Sequence, residues 1–223
     1  MPARNEDLHG NVPDKSDVAL ILIDMINDLE FPGGDKLFEH TLPVAKRLVE
    51  FKRQAKAAGV PVIYVNDNFG RWNSDFHNQV EHCLRDGVRG KPIVEMLKPE
   101  KDDYFVLKPK HSGFFATVLD VLLAYLKVKT VVLTGVAGNI CVLFTANEAY
   151  MRDFYVVTPS DSIASNNPED NEHALQQMKT ILKADITPST ELDWEEIKQR
   201  ARQTQSQNPP QQEPQQMPVW KVG

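Results

Sequence analysis

The stretch "TVVLTGVAGNICVLFTANEAY", residues 130–150, decides the fold. It opens on an apolar, β-branched run, breaks at Gly135 and Gly138, and continues with helical period, which reads as a strand, a tight turn and a helix. The same alternation recurs along the chain. Apolar runs at 18–24, 60–66, 103–108, 130–135, 154–159 and 184–187 predict strands, interleaved with predicted helices at 41–58, 74–84, 114–127, 139–152, 169–182 and 191–203. Strands that alternate with helices build βαβ units around a parallel sheet. Runs such as "VALILID" (18–24) are apolar at successive positions, which predicts central strands covered on both faces. The expected fold class is therefore α/β: a single-domain, doubly wound, mostly parallel six-stranded sheet with helices on both faces, in a three-layer Rossmann-like arrangement. The first helix should end at Gly59, which can take the left-handed C-cap conformation ahead of Pro61.

The chain has 223 residues, 41% hydrophobic and 25% charged, enough apolar material for one sizeable core and no second full domain. That domain is expected over 16–203, after a polar N-terminal extension (1–15) and before a flexible Gln/Pro-rich tail (204–223). Net charge is -6 and the basic residues are dispersed, which argues against nucleic acid or an anionic membrane as the main partner. The start, "MPARNEDLHGNVPDKSD", has no apolar signal core, and no run approaches the ~20 apolar residues of a membrane span. A cytoplasmic protein is expected. Its two cysteines, Cys83 and Cys141, form neither a disulfide framework nor a zinc spacing and should be free thiols.

In a doubly wound sheet, ligands bind beyond the carboxyl ends of the strands. Asp24 ends the first strand, Lys108 ends "YFVLK", and Cys141 follows "VVLTG". Each has a plainer reading: an aspartate after a strand starts a turn, a lysine before proline is a solvated strand end, and a lone cysteine is often buried. Taken singly, both readings of each residue stand. Their coincidence at one edge is what points to a site. A thiol at a helix N-terminus beside a cation should have its ordinary pKa of ~8.5 lowered. Asp24 could then accept the thiol proton and pass it to a leaving group, while N–H groups in the turn around Gly135 and Gly138 face a developing oxyanion. This constellation describes acyl transfer through a thioester, without a histidine base.

"ALILIDMINDL", "LKPKHSGFFATVLDVLL" and "VVLTGVAGNICVLFTANEAYMRDFYVVTPSDSIAS" resemble, in that order, the three motif blocks of the isochorismatase-like cysteine hydrolase superfamily, which includes nicotinamidases, carbamoylsarcosine amidases and isochorismatases. The resemblance covers roughly residues 16–190. It implies a catalytic triad of Asp24 as proton acceptor and donor, Lys108 rather than Lys110 as the lysine, and Cys141 as nucleophile. It also implies a cis peptide between Val136 and Ala137, and an oxyanion hole made by the Ala137 and Cys141 N–H groups. Homodimers or higher homo-oligomers are implied by the same resemblance.

Two departures bear on substrate. Where nicotinamidases continue a metal motif, this chain reads "NDNFGRWNSDFH": Asp67 is present, but Asn68 and Phe69 follow it and His77 stands alone. No metal and no cofactor are therefore expected. Gly138 stands where relatives commonly have Thr. Asn66, Phe69 and Trp72, with Leu29 and Phe31 after the first strand, are candidate substrate-binding residues, or alternatively pack on a helix or a second subunit. "SDSIAS" (160–165) either lines the cleft or caps the next helix. The expected function is cofactor-independent hydrolysis of a small amide or related C–N bond. Vinyl ether hydrolysis with Asp24 as acid, and a non-enzymatic binding protein on the same fold, are the alternatives.

Overall fold

The computed structural model describes residues 15–73, 75–85 and 87–207. The N-terminal extension up to residue 14 and the tail from 208 lie outside the described residues. Five strands, β1 (Val18–Ile23), β2 (Val62–Asp67), β3 (Tyr104–Lys108), β4 (Thr130–Val136) and β5 (Tyr155–Val157), stand in the order β3-β2-β1-β4-β5. All pair in parallel, and the short β6 (Ile163–Ala164) adds to the carboxyl end of β4. The chain thus winds outward from β1 to β3 and then returns to the other side of β1. The crevice of such a sheet opens where the winding reverses, between the ends of β1 and β4.

The two-sided burial of β1 shows why the apolar runs form this sheet. Val18, Leu20 and Leu22 enter one core with Leu48 and Phe51 of α1 (Gly34–Ala57), Ile93 of α3 (Lys91–Met96) and Ile197 of α7 (Trp194–Gln207). Ala19, Ile21 and Ile23 enter the opposite core with Leu123 of α4 (Leu119–Leu126), Ala146 of α5 (Leu143–Met151) and Met178 of α6 (Pro168–Thr180). Alternation of strand side chains therefore feeds two helix layers, and each fully buried Val, Leu or Ile contributes about 1.5–3 kcal/mol.

Several elements differ from the sequence-based expectation. The sixth strand is Ile163–Ala164, not 184–187. Asp185 makes one isolated bridge to Val157, and its carboxylate then accepts from the Thr187 N–H and from Arg200, which bends the chain away from the ladder. Helix α1 starts at Gly34, well before residue 41, and carries Pro43 in its interior. Its buried stripe of Leu37, Thr41, Val44 and Leu48 runs through the proline, and the Thr41 hydroxyl donates to Leu37 O at 2.5 Å in the turn before it. At its far end Gly59 has the left-handed φ of 69° expected there. Helix α4 begins at Leu119 rather than 114 because Ser112 and Thr117 hydroxyls accept the N–H groups of Phe114 and Leu119, holding the segment in turns. Helix α2 (Phe76–Arg85) precedes α3, which is too short for a readable period, and α7 runs on to Gln207.

Candidate active site

At the end of β1 the Asp24 N–H still bonds Val65 O at 2.9 Å, and a φ of 52° then turns the chain out of the strand. Aspartate is one of the few residues that visit this left-handed region readily. Its Oδ1 accepts the Asp67 N–H at 2.8 Å, and its Oδ2 lies 2.9 Å from Lys108 Nζ. Turn capping in "DMIND" falls instead to Asn27 and Asp28, whose Oδ1 atoms accept from the N–H groups of Leu29 and Glu30. Lys108 closes β3 in register with Asp67, and its side chain is wholly buried. The ammonium also sits 3.5 Å from Cys141 Sγ and 3.6 Å from Asp67 Oδ2. Carboxylate, ammonium and thiol from three strand ends thus meet at the sheet's carboxyl edge.

The electrostatics differ from the expectation of a lowered thiol pKa. Burial pushes the Cys141 thiol up to about 12, the Asp24 charge adds to that, and Lys108 offsets only part of it. Burial is the leading cause, and Lys108 stands 2.9 Å from Asp24 but 3.5 Å from the sulfur. Burial likewise raises the Asp24 carboxyl, against the opposing pull of Lys108 and the Asp67 N–H. For Lys108, burial would lower the ammonium pKa, but Asp24 and Cys141 outweigh it and hold the value up. The resting arrangement is a neutral thiol and an Asp24 carboxyl of raised pKa, with the buried Lys108 ammonium against both.

Beyond β4 the Val136–Ala137 peptide is cis, and Ala137 is extended with φ -82° and ψ 140°. A π-helical turn, Gly138–Val142, follows and leads directly into α5. Its Val142 N–H bonds Ala137 O at 3.1 Å, so the N–H groups of 138–141 precede the first bond of that ladder. Ile140 closes a tighter ring on the same carbonyl at 3.0 Å, and Asn139 donates to Ser165 Oγ at 3.1 Å. Cys141 therefore sits on a turn in which the Asn139 N–H donates outside the helix, to Ser165, while the Ile140 N–H donates back to Ala137. "SDSIAS" serves this turn through Ser165, whereas the cap of α6 is Asn167, whose side chain accepts the Glu169 N–H at 3.0 Å.

The other candidates separate. Leu29 is buried in the core on the α1 side, and its carbonyl accepts from Arg89, so it does not face a cleft. Asn66 is also fully buried, its Nδ2 donating to Ile26 O at 2.6 Å, and it ties the loop after β1 to β2 rather than presenting itself to a ligand. Phe31, Phe69 and Trp72 are exposed, and Phe69 takes a left-handed φ of 52°. His77 stands on α2 with its ring edge-on to Phe105, and no cluster of three or more His, Cys, Asp or Glu among the described residues could hold a metal ion. Cys83 is buried in α2.

Two residues beside Cys141 and Lys108 were not among the site candidates. His111 Nδ1 lies 4.0 Å from Cys141 Sγ, with its ring 5.5 Å from that of Phe144. Asp67 stands beside Lys108. The signals were present, since His111 lies just past the Lys108 strand end and Asp67 ends β2 at the same edge.

An isochorismatase domain model matches residues 18–190. Among curated proteins, the uncharacterized isochorismatase family protein YaaI of Bacillus subtilis is 44% identical over 178 residues, which cover 80% of this chain and 97% of that protein. The ureidoacrylate amidohydrolase RutB of Methylorubrum extorquens is 27% identical over 207 residues, covering 81% and 82%. Among solved structures, N-carbamoylsarcosine amidase from Thermoplasma acidophilum superposes with a TM-score of 0.61 at 25% identity, covering 79% of this chain and 98% of that one.

Proposed function

The chain belongs to the isochorismatase family, and from that premise we propose that it is a cofactor-independent hydrolase of a small amide or related C–N bond, acting through a thioester on Cys141. The observation that carries the reading is the contact chain Asp24 Oδ2, Lys108 Nζ, Cys141 Sγ, with steps of 2.9 and 3.5 Å. Amidohydrolase and amidase relatives support the C–N bond over the vinyl ether.

In the first half-reaction Cys141 Sγ attacks the carbonyl carbon while Asp24 takes the thiol proton. Since the thiol pKa lies far above neutrality, transfer during attack replaces a preformed thiolate. The oxyanion develops against the N–H groups of Ala137 and Cys141. Collapse breaks the C–N bond, and protonated Asp24 gives its proton to the departing nitrogen. In the second half water adds to the thioester, Asp24 accepts a proton from it, and the thiol is regenerated with release of the acid. Lys108 keeps Asp24 oriented and balances the negative charge that moves between carboxylate, sulfur and oxygen. His111, Phe31, Phe69 and Trp72 are the side chains we assign to the substrate's remaining groups.

The test is a screen of ureido, carbamoyl and aromatic amides, together with a vinyl ether, by mass-detected product formation. The reading expects an amide hit, an acyl adduct on Cys141 in quenched samples, and no turnover in Cys141→Ala. Turnover of the vinyl ether alone, undiminished in Cys141→Ala, would overturn it. The same reading includes a cytoplasmic homo-oligomer. Val118, Val121, Tyr125, Phe144 and Met151, exposed on and around α4 and α5, support a subunit contact there, and a monomer by light scattering would remove it.

A further inference from the structure

Gly138 begins the turn that carries Cys141, yet no left-handed φ requires a glycine there. What requires it is α6: a Cβ at this position would stand 2.1 Å from Asn171 Oδ1. Asn171 fills that space for a purpose that the hydrogen bonds make visible. Its Oδ1 accepts the Ser165 hydroxyl at 2.9 Å, and its Nδ2 reaches Ile163 O at 3.5 Å, which fixes the amide's orientation. Ser165 is buried, and its oxygen in turn accepts the Asn139 N–H at 3.1 Å. A hydroxyl that donates on one side and accepts on the other has little freedom left. The chain Asn171, Ser165, Asn139 therefore connects α6, which lies beside α5 in the same helix layer, to the backbone two residues before the nucleophile.

We propose that Asn171 is a positioning residue for the oxyanion-binding turn, acting through Ser165 and matched to the missing side chain of Gly138. The proposal rests on Cys141 being the nucleophile. Its physical content is that the Asn139 N–H is pinned from α6, which sets the course of the turn, and through Ile140 the direction of the Cys141 N–H, without touching the sulfur or the substrate. Donors aimed at a developing oxyanion are sensitive to small displacement, since about 1 Å of misplacement can cost roughly 10²-fold in rate.

Two reagents separate this role from general support of the fold. Acylation by p-nitrophenyl acetate forms the Sγ–C bond and breaks the ester C–O bond through an oxyanion, with the thiol proton passing to Asp24 and nitrophenolate leaving. Alkylation by iodoacetamide displaces iodide at a methylene carbon and forms no oxyanion. In the full chain, Asn171→Ala and Ser165→Ala are expected to slow Cys141 acylation at least roughly tenfold, within the range that misplacement allows, while alkylation stays at the native rate. Gly138→Ala is expected to slow acylation as well, and adding Asn171→Ala to it should cost nothing further, because the clash and the positioning are one interaction. Asn171→Ala that acylates like the native protein, or that slows both reagents equally, would overturn the proposal and leave the cysteine reading standing. A Cys141→Ala protein acylated as fast as the native one would remove the cysteine reading, and the positioning role with it.

Discussion

Cys141 is held between opposing influences, and the sign of each is open to measurement. Burial and the Asp24 charge raise the thiol pKa, while Lys108 lowers it. Asp24→Asn removes a raising influence, so the thiolate fraction near neutrality should increase. The expected outcome is faster iodoacetamide labelling of Cys141 in Asp24→Asn than in the native protein across pH ~6 to ~9, although the variant should hydrolyse no amide because its proton acceptor is gone. Lys108→Met should shift labelling the other way and also abolish turnover. Slower labelling in Asp24→Asn would mean that the carboxylate acts as a resting base that strips the thiol, and the neutral-thiol description would fall. The convergence of Asp24, Lys108 and Cys141 was legible because Asp24 and Lys108 stand at strand ends and Cys141 on the turn after β4, all at one edge of a parallel sheet. The raised thiol pKa was not, since its leading cause is burial of the thiol, which the strand-end position does not record and which Lys108, 3.5 Å from the sulfur, offsets only in part. Leu29, after β1, packs into the core on the α1 side, and Asn66, inside β2, turns its amide to Ile26 O, placements that proximity to a strand end does not decide.

At the scale of elements, α7 is the informative case. Trp194 begins it with a ring centroid 4.6 Å from that of Phe51 on α1, and Ile197 and Ala201 are buried on the same core. Trp194→Ala should destabilise the protein by about 3–5 kcal/mol by urea denaturation, the usual range for emptying a large aromatic site. Trp194→Phe should lose much less, since the buried indole N–H has no hydrogen-bond partner among the described residues and its removal relieves a desolvated donor. A phenylalanine variant as unstable as the alanine one would show that the indole shape, rather than apolar filling, holds the helix. For α6 the expectation is smaller: Asn167→Ala removes the side chain that caps the Glu169 N–H and should cost about 1 kcal/mol. The end of α1 was readable because Gly59 is a stop signal, whereas the cap of α6 is Asn167 and not a residue of "SDSIAS". The starts of α1 and α4 were not readable, because they are decided by Gly33 at φ 85° and by the Ser112 and Thr117 hydroxyls, local choices that hydrophobic period does not record. The exchange of 184–187 for Ile163–Ala164 as the sixth strand has the same character, as two residues are too few for any period to reveal.

For the molecule as a whole, the two ends of the sheet answer differently to acid. At the edge opposite the candidate active site, before β3 begins, Lys52 and Lys56 of α1 hold the acidic loop: Lys52 Nζ lies 2.6 Å from the buried Asp103, and Lys56 Nζ lies 2.9, 2.7 and 3.1 Å from Glu100, Asp102 and Asp103. Hydrogen bonds from Lys56 are the leading cause of lowered pKa values at Glu100 and Asp102. At Asp185 burial acts upward, but bonds from Thr187 and the Arg200 charge leave its carboxyl below the ordinary value. A carboxyl lowered on folding contributes stability that is fully present above its unfolded pKa, ~4.3 for Glu and ~3.9 for Asp, and is lost as pH falls through the folded value. The part of the urea midpoint that these three carboxyls supply should therefore hold steady from neutrality down to about pH 5 and then decline, while Asp24, raised on folding, acts with the opposite sign. Lys56→Met should lower the midpoint at neutral pH and make that decline shallower, because Glu100 and Asp102 then titrate closer to their unfolded values. The pH dependence of Cys141 alkylation should stay the same in this variant, since the loop and the thiol occupy opposite ends of the strands. A steeper acid decline in Lys56→Met would show that its partners are lowered by something other than this cation. A shifted alkylation profile would show that the two ends of the sheet are electrostatically coupled.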